Sequence, residues 1–211
     1  MYDYHCHTTF SDGELIPTEL IRRMSVAGYT EMAIADHADF SNVEELIVAQ
    51  KKLKKSADLY GIHLFTGIEI THVPPEQIDE LAKKAKKLGA EIVLVHGETV
   101  VEPVAPGTNH AALSSKYVDI LAHPGLITEE EAELAAKNGI ALEITSRGGH
   151  NRTNGHVVSM GRLAGARFVV QSDIHSPDDI IDEQMRYLVA RGAGMNDEEA
   201  HATLSCNLIS F

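Results

Sequence analysis

Nine residues of this 211-residue chain belong to the types that hold hard or borderline divalent metal ions. They are His5, His7, Asp12, His37, Glu69, His96, His123, Asp173 and His175. Imidazole suits zinc, iron and related ions, and carboxylate oxygen suits harder ones. In Asp3-Tyr4-His5-Cys6-His7, alternate side chains of a strand share a face. His5 and His7 can therefore reach one ion, with Asp3 placed to orient one of the rings. Tyr4 and Cys6 point the other way, and Cys6 is expected to pack behind the wall. Asp12 lies in the polar turn Thr8–Gly13, where an isolated Asp would more often cap a turn. Its position just after the His-x-His strand favours the metal reading. Glu69 follows Gly67, where backbone approaches a site closely, and the two oxygens of its carboxylate can serve two ions. His96 and His123 each end a predicted strand, and Asp173 and His175 again share one face.

The elements that must position these residues alternate along the whole chain. Short apolar runs predict strands over residues 2–7, 31–35, 63–66, 91–95, 118–122, 141–144 and 167–171. Amphipathic stretches predict helices over 17–27, 42–60, 75–88, 108–116, 128–137, 153–164, 177–191 and 197–206. Thr128 with Glu131 forms a capping box, and Asn196 with Glu199 a looser one. Glycines at 28, 61, 89, 139 and 165 each follow a helical run, where a left-handed residue often ends it. Seven strands alternating with helices imply an α/β fold with a parallel sheet covered by helices. An open sheet gathers its ligands at one crevice, whereas a barrel brings every strand end to one mouth. The candidate ligands sit at successive strand ends, so a barrel in a single domain spanning residues 1–211 is expected.

Bulk composition narrows the partners. A net charge of −13 opposes a broad surface for nucleic acid or anionic lipid, though a small anionic substrate is compatible with it. Lys51-Lys52-Leu53-Lys54-Lys55 and Lys83-Lys84-Ala85-Lys86-Lys87 read as solvated helix faces. The two cysteines, Cys6 and Cys206, form no disulfide framework. No apolar run approaches the ~18 residues that span a membrane, and no targeting segment is visible, so a soluble cytoplasmic protein is expected.

The ordered motifs His5-Cys6-His7-Thr8, Ser11-Asp12-Gly13, Ala35-Asp36-His37, Gly67-Ile68-Glu69, Ala122-His123-Pro124-Gly125 and Ser172-Asp173-Ile174-His175 resemble the polymerase and histidinol phosphatase (PHP) superfamily. Residues 102–113 also resemble its small stand-alone phosphatase branch. The resemblance implies a distorted seven-stranded (βα) barrel, similar to a TIM barrel, with three divalent ions at its C-terminal mouth. One ion would take His5, His7, Glu69 and Asp173, a second Asp12, His37 and His175, and a third Glu69, His96 and His123. Zinc is the first expectation, with manganese or iron as alternatives because Asp12 makes its subsite richer in oxygen.

The expected chemistry is hydrolysis of a small phosphomonoester, histidinol phosphate or a relative, by a metal-bridging hydroxide without a phosphoenzyme. Asp12, His175 or a metal-bound water could protonate the leaving group. Arg147 and Arg152, in the glycine-containing loop after the sixth strand, are expected to fork onto phosphate oxygens. Glu143 either orients one of these arginines or forms a buried pair. His63, His72 and His201 read as surface or packing residues, and His110, His150 and His156 could reach the mouth but are given no role. The alternative activity is a phosphodiesterase or exonuclease, against which stand the acidic charge and an aromatic content of 5%.

Overall fold

The computed structural model of the chain describes residues 1–205. In chain order the elements are β1 (Tyr2–Asp3), α1 (Pro17–Val26), β2 (Glu31–Ile34), β3 (His37–Ala38), α2 (Val43–Lys51), α3 (Lys54–Leu59), β4 (His63–Ile70), α4 (Pro75–Leu88) and β5 (Ile92–His96). There follow α5 (Thr108–Ser114), β6 (Ile120–Ala122), α6 (Glu129–Asn138), β7 (Ala141–Thr145), α7 (Asn154–Ala164), β8 (Phe168–Gln171), α8 (Glu183–Gly192) and α9 (Asp197–Leu204). The strands pair in parallel in the order β1-β2-β4-β5-β6-β7-β8. The result is a nearly closed barrel of seven parallel strands with helices outside, as the alternating pattern predicts.

The period-2 pleat explains how the barrel is filled and where its chemistry lies. Ala33 and Ala35, Phe65, Ile92 and Leu94, Ile120 and Ala122, and Val169 belong to one buried apolar cluster with Tyr2 and Tyr4. Two residues beyond Ala35 and Leu94 come His37 and His96, and Glu69 lies four beyond Phe65. Each row is apolar at the bottom of the barrel and polar at the top. A second, larger apolar cluster joins β4 to β8 with helices α2 and α4 to α8. A third packs α1 and α3 against β2, with Cys6 fully buried in it, behind the wall as expected.

Several boundaries differ from the sequence reading. The first strand pairs regularly only over Tyr2–Asp3, and beyond it a single bridge joins Cys6 to Ile174. The predicted second strand is interrupted, and β3 resumes beside the upper half of β4 with His37 opposite Glu69. Strand β4 is eight residues long instead of four because it supports β2 below and β3 above. The predicted helix over 42–60 breaks into α2 and α3 around Lys52 and Leu53. Both capping boxes form, at Thr128 and at Asn196. Cys206, the last residue of the predicted final helix, lies outside the described residues.

Barrel closure between β1 and β8 rests on polar chemistry. His7 N donates to Ile174 O (2.7 Å) and Ile174 N to His5 O (3.1 Å). Asp3 does not orient an imidazole ring as the strand alternation suggested. Its carboxylate accepts from Ser172 N (3.0 Å) and Ser172 Oγ (2.6 Å) and pairs with Arg186 Nη2 (3.2 Å). Arg186, from α8, is itself fully buried and also donates to Val170 O. Its guanidinium lies 4.8 Å from the centre of the Tyr2 ring. A buried cation without its partner would be strongly destabilising, so Asp3 and Arg186 hold the seam as a unit.

Candidate metal centre

The mouth of the barrel is an open cavity of about 540 Å³. Its lining includes Asp12, His37, Glu69, His96, His123, Asp173 and His175, with His5 and His7 fully buried beneath them. All nine metal-type residues singled out in the sequence therefore converge on one place. Among the described residues, four sets of ligand atoms lie within 4.8 Å of one another: His7, Asp12, His37 and His175; His5, His7 and Glu69; His5, His123 and Asp173; and His96, His123 and His150.

The hydrogen bonds around these rings share one logic. His5 Nδ1 and His123 Nδ1 both donate to Glu143, at 2.6 and 3.0 Å. His96 Nδ1 donates to Gly97 O (3.2 Å) and His175 Nδ1 to Asp173 O (3.0 Å). His37 Nδ1 meets Thr71 Oγ1 (2.7 Å), and His7 Nδ1 meets Ser11 Oγ (3.4 Å). In each ring the Nδ1 side is held by protein, which leaves Nε2 as the ligand atom, the arrangement typical of metal-binding histidines. The Nε2 atoms of His5, His7 and His123, together with Glu69 Oε1, are buried without a hydrogen-bond partner. Orphaned buried polar atoms are costly. Four of them converging from different strands fit a shared cation, and the donor set of imidazole and carboxylate fits divalent ions.

Glu143 thus has a definite place. It contacts neither arginine, and its Oε2 also accepts from His123 N (2.8 Å). One carboxylate fixes two candidate ligands on two strands. Asp36 supports the turn bearing Asp12 in a similar way, accepting from Thr8 N (2.7 Å), Thr8 Oγ1 (2.8 Å) and Ser11 Oγ (2.7 Å). Two candidate ligands, His123 and Asp173, take positive φ values of 27° and 53°. Such conformations cost about 1–3 kcal/mol in a residue other than glycine. At His123 the unusual φ departs from the strand pleat just after inward-facing Ala122. Gly125 follows with no room for a side chain, since a Cβ there would strike the Glu98 carbonyl.

The electrostatics of the site pull its groups in opposite directions. Burial opposes it, but hydrogen bonds to Asp12 and Glu69 push His37 up to about 10. Burial also works against Glu143, yet His5 and His123 bring its carboxyl down to about 2. Hydrogen bonds from His175 and His37 hold Asp12 well below the usual carboxylate range. His96 moves the other way: burial, over the attraction of Glu69, pushes it down to about 4.

The arginines separate. Arg147 lines the cavity and is, among the described residues, its one lining arginine or lysine. Its Nη1 is anchored by Asp179 Oδ2 (3.1 Å), a carboxylate that also accepts from His175 N and Ser176 N. Arg152 is exposed on the short 3-10 turn His150–Thr153 and is not among the lining residues. His72, read as a surface or packing residue, has φ of 54° and lines the mouth. His150 and Glu102 line it too; both lie in loops whose path no local pattern reveals. His156 is tied to Ile127 O (2.7 Å), and His63 and His201 are exposed. The lysine tracts are mostly solvated, with Lys54 paired to Glu91 and Lys86 to Asp119.

Comparison with known proteins agrees with this geometry. The chain is 52% identical over 207 residues to an uncharacterized protein of Methanocaldococcus jannaschii, covering 96% of this chain and 94% of that one. A shorter stretch of 70 residues is 41% identical to a 5'-3' exoribonuclease of Haemophilus influenzae, covering 33% of this chain and 23% of the relative. Over 208 residues it is 24% identical to the DNA polymerase/3'-5' exonuclease PolX of Bacillus subtilis, covering 90% of this chain and 36% of that protein. Among solved structures, a chain of archaeal ribonuclease P with mature tRNA superposes with a TM-score of 0.73 at 17% identity, covering 97% of this chain and 87% of that chain. No helix among the described residues is long and apolar enough to cross a membrane. Residues 3–147 match the PHP domain, a family that includes phosphoesterases and nucleases, and on that match and the ligand-bearing barrel mouth the chain belongs to the PHP family.

Proposed function

We propose that this protein is a metal-dependent phosphatase acting on a small phosphomonoester, histidinol phosphate or a related metabolite. The observation that carries the reading is the set of buried imidazole and carboxylate atoms left without partners at the floor of an open cavity. The residues that would hold divalent ions are His5, His7, Glu69, His123 and Asp173 on the floor, Asp12, His37 and His175 at one edge, and His96 at the other. Bound divalent ions, zinc first and manganese or iron as alternatives, would neutralise phosphoryl oxygens and lower the pKa of coordinated water from ~15.7 towards ~7.

The chain's own residues do the rest. A cavity of about 540 Å³ falls in the range for small-molecule sites. Arg147, steadied by Asp179, has further guanidinium donors for phosphate oxygens. Asp12, with its side chain 56% exposed, and His175, with 13%, stand at the solvent edge where a leaving oxygen would depart. Proton delivery is assigned to that edge. The exposed ring of Phe10 at the rim offers apolar surface to the organic part of a substrate.

A second reading, cleavage of nucleotides or short nucleic acid, is favoured by the likeness to the exoribonuclease and to PolX. Against it, Arg147 is the one described arginine or lysine in the cavity lining of a protein with net charge −13. The deciding experiment assays the metal-reconstituted protein against histidinol phosphate, sugar and nucleotide monophosphates, and a short single-stranded oligonucleotide. Preferred turnover of a monoester is expected, and preferred turnover of the oligonucleotide would overturn the phosphatase reading.

A further inference from the structure

One group of side chains at the mouth lies outside the roles assigned above. His150, on the 3-10 turn after β7, is 7% exposed, and its ring centre lies 4.3 Å from that of His123. Its Nδ1 is hydrogen-bonded to Thr99 Oγ1 (2.8 Å), so its Nε2 is the free atom, as in the other rings of the site. Facing it is Glu102, from the loop between β5 and α5. Glu102 Oε1 lies 3.5 Å from His150 Nε2, and Oε2 lies 3.1 Å from His96 Nε2. Two ligand atoms on one tetrahedral ion, with bonds of about 2.0–2.1 Å, stand roughly 3.4 Å apart. Each carboxylate oxygen lies near that spacing from one imidazole, Oε1 from His150 and Oε2 from His96. His96, His123 and His150 also offer ligand atoms within 4.8 Å of one another, whereas Glu69 groups with His5 and His7.

The loop carrying Glu102 is built to stay in place. Glu98 Oε1 accepts from Gly107 N and Asn109 N (both 3.0 Å), which closes the base of the loop on itself. Asn109 in turn accepts from Glu98 N (2.9 Å) and donates to Pro124 O (2.8 Å), joining that base to the segment after His123. Thr99, on the same loop, fixes His150. The carboxylate and the imidazole it faces are therefore positioned by one piece of structure.

We propose that His150 and Glu102 complete the third metal subsite with His96 and His123, making a closed zinc site of three imidazoles and one carboxylate. Four protein ligands of these types satisfy a tetrahedral zinc ion and leave it no open position. The subsites around Glu69, Asp173 and Asp12 contain more oxygen and stay open to the cavity. The third ion then ties the loop to the barrel, and the other two face the substrate. This inference rests on the metal-centre reading and is independent of which phosphoester is hydrolysed.

The test is metal content by mass spectrometry of the full chain and of the His150→Ala, Glu102→Gln and Thr99→Val variants. Each is loaded with zinc and then dialysed against excess manganese. The unaltered protein is expected to hold three ions, one of them zinc that resists exchange. His150→Ala and Glu102→Gln should hold two ions and no retained zinc, with Thr99→Val losing zinc faster than the unaltered protein. Unchanged melting of the metal-free variants would show that loss of metal is not loss of fold. Three ions with equal zinc retention in every variant would overturn the subsite. So would uniform loss of all ions from a folded variant. Two ions in the unaltered protein, with monoester turnover intact, would sink the subsite and leave the phosphatase reading standing. Three ions in the unaltered protein, with zinc retention lost in the His150 and Glu102 variants but no monoester turnover, would do the reverse.

Discussion

On the side of the mouth formed by β1, β4 and β8, the candidate ligands are buried strand-end residues: His5, His7, Glu69 and Asp173 are each no more than 2% exposed. On the side of β5, β6 and β7, the strands supply His96 and His123, but the remaining groups, Glu102 and His150, arrive on loops. The first side is positioned by the sheet, the second by hydrogen bonds such as those of Glu98, Asn109 and Thr99. A site built on strands is held by the cooperativity of the whole core, whereas a site held by loops opens at lower cost. Chemistry that tolerates no displacement belongs on the first side, and on the second the contacts of Glu98, Asn109 and Thr99 must supply the rigidity that the sheet does not.

The largest expected effect breaks the strand-built side. His5→Ala or Asp173→Ala should abolish phosphoester turnover while far-ultraviolet circular dichroism stays near that of the unaltered protein; full activity in either would remove the residue from the centre. Glu143→Gln sharpens the contrast because this carboxylate serves His5 on one side and His123 on the other. Loss of an orienting partner costs roughly 10–100-fold in metal affinity. Chelator competition should therefore show weakening of ions on both sides, and weakening on one side alone would mean the two are built independently. Arg147→Ala tests the loop-borne substrate contact. A charge-assisted hydrogen bond is worth ~1.5–3 kcal/mol, so steady-state kinetics should show KM for a monoester rising about tenfold or more, with Arg152→Ala changing it less.

Strand-end ligands were legible in the sequence because the pleat has a fixed period. His5 and His7, or Asp173 and His175, announce a shared face by their spacing alone. Their recurrence at the ends of successive apolar runs announces a barrel mouth. What escaped was decided by contacts between residues distant in sequence. Glu143 reads as a partner for one of the loop arginines or as a buried pair; it is buried and paired, but its partners, His5 and His123, lie 138 and 20 residues away and carry no local mark. Asp3 alternates in phase with His5, but the pull of Arg186 and Ser172 turned its carboxylate to the seam. His150 has no periodic neighbour to mark it. The split of the second strand at His37 was equally hidden, since it depends on how far β4 extends.

The Asp3–Arg186 pair sets a clock on biosynthesis. At ~5–20 residues per second, Arg186 leaves the ribosome's catalytic centre roughly 10–40 s after Asp3. Throughout that interval the carboxylate of Asp3 lacks its cation, and His5 and His7 lack the strand carrying Asp173. The nascent chain can therefore build its middle strands early, but the cluster that includes Asp173 cannot form until the two ends of the chain meet. Any ion held by that cluster would therefore be acquired late, after the middle of the barrel has paired.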